Sequence, residues 1–114
     1  LDIPEGVEVY EIDGPFFFGL ASRFEELEQM KKPGTKVRII RMRKVPFIDS
    51  TGINNLRNLC ERTHKRGVTV ILSGVTDEVH KTLVKFGVDL ELGEDCIYPH
   101  IVPALEKAKE LVKK

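Results

Sequence analysis

Strand-type and helix-type apolar patterns alternate along this chain, which predicts an α/β domain on a mainly parallel sheet. Three observations carry that prediction. Residues 68–72 form a nearly unbroken apolar run, as in a strand covered on both faces. Ile53, Leu56 and Leu59 recur at helical spacing directly after another apolar run and a polar turn. The length, 114 residues, allows one core, so residues 1–114 are read as one domain.

Each element follows from its own pattern. Residues 7–12 alternate apolar and acidic or polar side chains, the signature of a strand with one wet face. Asp13-Gly14-Pro15 reads as a turn, and Phe16, Phe17 and Phe18 as a short strand folding back antiparallel on the first. After Gly19 the spacing becomes helical, with Leu20, Phe24, Leu27 and Met30 on one side and Lys32-Pro33-Gly34 as the stop. Residues 37–42 read as a central strand, interrupted at Lys44-Val45-Pro46 before Phe47 and Ile48, since proline donates nothing to a ladder. A helix over 51–66 faces Ile53, Leu56, Leu59, Cys60 and Thr63 inward and stops at Gly67. Beyond the strand at 68–72, a helix over 77–86 turns Val79, Leu83 and Phe86 inward. A short strand at 90–92 is expected after Gly87. The last helix lines up Ile101, Ala104, Leu105, Ala108, Leu111 and Val112, with lysines crowding its C-terminal end.

Composition excludes several classes. Lys plus Arg and Asp plus Glu both number 18, so the net charge is zero and gives no support to a nucleic-acid partner. No apolar run approaches the roughly twenty residues that span a bilayer, and the mixed, acidic N-terminus does not read as a signal peptide. Cys60 and Cys96 are too few and too far apart for a metal knuckle or a CxxC pair. Cys60 is read as a core residue, and Cys96 as a loop thiol open to reaction. His64, His80 and His100 have no metal-ligand spacing. No nucleophile–base pair, phosphate loop or dinucleotide fingerprint occurs, so neither a cofactor nor enzymatic activity is expected.

The candidate site is the turn Asp49-Ser50-Thr51-Gly52, which delivers a carboxylate and two hydroxyls to a helix N-terminus. Such a place suits an anion, because backbone N–H groups and the helix dipole point there, but the same residue types also serve simply as caps. Asn54, Asn55, Arg57 and Asn58 extend it along the polar side of the helix, as a partner surface or as plain solvation. Phe16, Phe17 and Phe18 cannot all face one way along a strand. The outer ones are either covered by a helix or form a docking patch. Arg38, Arg41, Arg43 and Lys44 make a basic cluster, read as a solvated strand edge or as an attractor of phosphates or anionic lipid.

At residues 46–53, Pro46-Phe47-Ile48-Asp49-Ser50-Thr51-Gly52-Ile53, the chain resembles the signature of STAS domains, shared by sulfate transporters and anti-sigma factor antagonists. Gly14-Pro15-Phe16-Phe17-Phe18-Gly19, with Ala21 and Phe24, is similar to a stretch of SulP-type anion transporters. Residues 66–75 resemble their following strand. The resemblance implies about five strands with four to five helices. It also implies a cytosolic regulatory domain, the tail of a larger membrane protein on the cytoplasmic side of the membrane. The implied partners are the transmembrane domain of its own transporter and a cytosolic regulatory protein or kinase, in a parent that is often dimeric. Sulfate, bicarbonate or dicarboxylate is the implied cargo. Nucleotide association is described in the family, but no sharp motif for it stands here. In the antagonists the serine after the aspartate is phosphorylated by a kinase. Ser50 matches it, so the alternative is a free-standing antagonist switched at Ser50.

Overall fold

The computed structural model describes residues 2–13 and 34–113. The expected strand at Phe16–Phe18 and the helix carrying Leu20, Phe24, Leu27 and Met30 lie outside the described residues. So does the pairing of that strand with the first. Among the described residues the sheet has three parallel strands in the order β1 (Val7–Asp13), β2 (Val37–Lys44), β3 (Thr69–Ser73). Val9, Ile39 and Ile71 share a register across them, as do Tyr10, Ile40 and Leu72. A mixed α/β single domain with a parallel sheet is therefore what the chain forms, with β2 inside it as the pattern predicted.

Alternation along the strands splits the interior into two layers. On one face Ile40, Met42, Val70 and Leu72 meet Ile53, Leu56 and Leu59 of α1 (Ser50–Lys65) and Val79 and Leu83 of α2 (Asp77–Lys85). On the other, Val37, Ile39 and Ile71 meet Ala104, Leu105 and Ala108 of α4 (Ile101–Val112). Small alanines let α4 lie close to the sheet. Thr76 caps α2, its hydroxyl accepting the Val79 N–H at 3.2 Å, and Asp77 and Glu78 in the first turn suit the dipole.

Four expectations are corrected. The segment at 90–92 is not a strand. Gly87, at φ 75, opens a fresh turn of helix, α3 (Val88–Leu92), in which Val88 is buried and Leu92 is half-buried at i,i+4 spacing. Strand-like contact with β3 is made instead by Ile97, bridged in parallel to Leu72, after a single 3₁₀ turn at Glu94–Cys96. Phe86, expected inward, is the C-cap of α2 and is 37 % exposed. β1 has no wet face at its start, because Glu8 turns inward toward Arg38, its register partner on β2. Arg38 itself is buried, so the four basic residues do not form one solvated edge. Arg43 and Lys44 pair with Glu11 at the far end of the strands, and Arg43 holds the Glu11 carboxyl below its usual range.

Candidate functional site

Pro46 ends the ladder, and Ile48 returns to the core before the chain turns into α1. Asp49 is the N-cap: its backbone is extended, its Oδ1 accepts the Gly52 N–H at 2.7 Å, and its carbonyl accepts the Ile53 N–H at 2.8 Å. The side chains of Asp49, Ser50 and Thr51 are exposed, whereas Gly52 is buried against the fold. The corner therefore carries its own anion. A phosphate arriving here meets the Asp49 carboxylate already seated on the positive end of the helix.

Asn54 and Asn58 are exposed one turn apart on α1, and Asn55 is half-buried. Arg57 is engaged within the domain: its Nε donates to Glu91 Oε2 at 2.9 Å, and its Nη2 to the Phe86 carbonyl at 2.6 Å. It ties α1 to the α2–α3 corner, satisfying a carbonyl that the end of α2 leaves open. Phe16, Phe17 and Phe18 lie outside the described residues. Phe47 is the residue that sequence reasoning missed. Its ring is 45 % exposed two positions before the cap, because Pro46 and the return of Ile48 turn it outward. The signal was the proline, which marks where strand alternation ceases to be a guide.

Neither cysteine is poised for chemistry. Burial pushes the Cys60 thiol up to about 12 and also raises that of Cys96, so both stay protonated near neutral pH. Cys96 is thus a buried residue of the 3₁₀ turn, not the reactive loop thiol expected. His64, His80 and His100 are exposed, and no metal-binding cluster occurs among the described residues. No helix among them is long and apolar enough to cross a membrane.

A parallel α/β sheet covered on both faces thus presents a capped helix start with exposed hydroxyls. The STAS domain family model matches residues 1–108, and the chain belongs to that family. It is similar to a sulfate transporter family protein from Wolinella succinogenes, with a TM-score of 0.93 and 45 % identity over 100 % of this chain and 93 % of the other. The STAS domain of a SulP transporter from Vibrio cholerae gives 0.86 and 36 %, covering 98 % and 88 %. The putative sulfate transporter YvdB of Bacillus subtilis (strain 168) is 30 % identical over 97 residues, which are 82 % of this chain and 18 % of that protein. The chain thus spans under a fifth of that relative's length. A putative anti-sigma factor antagonist from Thermotoga maritima shares the fold alone, with a TM-score of 0.75 at 18 % identity over 99 % and 92 % of the two chains.

Proposed function

We propose that this chain is the cytosolic regulatory and docking domain of a SulP-type secondary anion transporter, with sulfate, bicarbonate or dicarboxylate as the class of cargo. Its partner is the membrane part of the same protein, held at the corner formed by Phe47, Asp49, Ser50, Thr51 and Asn54. Phe47 serves as an apolar anchor within a polar rim. The observation that carries this reading is the occupied cap: with the Asp49 carboxylate on the Gly52 N–H, the exposed corner is a surface to be gripped. Differential contact in the alternate transport states would bias their equilibrium. Anion uptake by the whole parent protein tests this. Phe47→Ala and Asn54→Lys are each expected to change flux about fivefold or more at equal membrane abundance. Unchanged flux in both overturns the reading.

A second reading rests on Ser50, whose exposed hydroxyl sits at the first position of α1. A phosphoryl group there would add about −1.5 to −2 charges beside Asp49 and repel a docked partner. In the free-standing antagonist version, a kinase writes that charge and no membrane part exists. A native reading frame with about ten spans of some twenty apolar residues ahead of this domain would exclude that version.

A further inference from the structure

The side-chain pattern of Val88–Leu92 is at odds with its backbone. Val88, Leu90 and Leu92 alternate with Asp89 and Glu91, the period of a strand with one apolar face. Wound into α3, the same residues leave two side chains misplaced. Leu90 is 82 % exposed, whereas Asp89 is buried and its Oδ1 has no hydrogen-bond partner among the described residues. Extending the backbone corrects both at once: Leu90 joins Val88 and Leu92 on the inner side, and Asp89 turns out with Glu91. Little helix is lost in exchange. Five residues keep few internal bonds, and the Glu91 N–H reaches the Gly87 carbonyl only at 3.3 Å. Gly87 at φ 75 and Gly93 at φ 93 bracket the segment, so its two ends turn without a Cβ in the way.

We propose that α3 is a two-state segment, helical while Arg57 holds it and extended when that hold is released. Arg57 is the catch. Its Nε donates to Glu91 Oε2 at 2.9 Å and its Nη2 to the Phe86 carbonyl at 2.6 Å, one anchor on each side of Gly87. Five residues span roughly 9 Å more as strand than as helix, so extension carries the two anchors beyond the reach of one guanidinium. The freed Arg57 then joins the exposed Asn54 and Asn58 on the outer side of α1. A partner gripping that side binds the two states unequally and so shifts their populations. This last consequence rests on the docking reading above; the two-state equilibrium does not.

Relaxation-dispersion NMR of the 114-residue chain tests it. Amides 87–93 are expected to exchange with a minor state of about 1–10 %, whose fitted carbon shifts are those of extended backbone. Arg57→Gln should raise the minor population about fivefold or more. Leu90→Ser, at a position exposed in the helical state, should lower it about fivefold or more with unchanged thermal stability, because the extended state loses its inward leucine. These readings come from the domain by itself, so they stand even where docking to a membrane part fails. No exchange in both the native chain and Arg57→Gln, a minor state with helical shifts, or exchange indifferent to Leu90→Ser overturns the inference.

Discussion

Gly74→Ala is expected to destabilise the domain by about 3–5 kcal/mol, close to the limit of what one substitution does in a marginally stable fold. Two costs combine. Gly74 follows β3 with φ +65, a conformation that charges any L side chain about 1–2 kcal/mol. A Cβ there would also stand 2.7 Å from the Arg43 nitrogen, 2.8 Å from its Cβ and 3.0 Å from its Cα. Backbone cannot rotate aside as a side-chain tip can, so the β3 exit and the end of β2 must separate. Gly67 supplies the control: its φ is +79, but a Cβ there meets nothing within 4 Å. Gly67→Ala should therefore cost only the conformational part. Urea unfolding of the three proteins reads the difference as a shift in midpoint. Equal losses at the two positions would show that the close approach of the strands contributes nothing.

The second large effect is expected at Glu8. Its side chain is 9 % exposed and that of Arg38 is 3 % exposed, opposite each other across β1 and β2 at 3.5 Å. Thr35 Oγ1 donates to Glu8 Oε1 at 2.7 Å, and the Tyr10 hydroxyl to Oε2 at 3.1 Å. The Arg38 guanidinium lies 5.2 Å from the Tyr10 ring centre, and burial together with the Glu8 carboxylate raises the Tyr10 pKa. Removing the acid alone leaves a buried cation without its counter-charge, so Glu8→Ala should cost about 3–5 kcal/mol. Converting both members to apolar residues, Glu8→Leu with Arg38→Met, should recover most of it, because the desolvation penalty of both charges disappears. A single substitution costing under about 1 kcal/mol would mean that the pair is solvated and behaves as a surface bridge.

Much of the architecture was legible because burial follows period. The inward set of α1 was readable from spacing, since Ile53, Leu56, Leu59, Cys60 and Thr63 are all buried. The continuous run in β3 likewise announced a strand with both faces covered. What escaped was set by partners distant in sequence. Nothing local to Arg38 or Glu8 says that two charged residues some thirty positions apart will meet inside. The helical turn at Val88–Leu92 escaped because five residues are too few for a period to declare itself, and Gly87 permitted either outcome. At the candidate site the cap was readable from residue types. The outward turn of Phe47 and the internal use of Arg57 depended on where Pro46 releases the chain and where α2 ends.

A photo-crosslinking side chain placed at Asn54 in the whole parent protein, in native membranes, tests the docking claim most directly. Asn54 is exposed beside the capped corner and makes room for the probe without disturbing the core. Illumination is expected to join this domain covalently to the membrane part of the same protein, with the yield reduced by Phe47→Ala. No adduct to the membrane part, with the protein folded and present at normal abundance, would contradict the account.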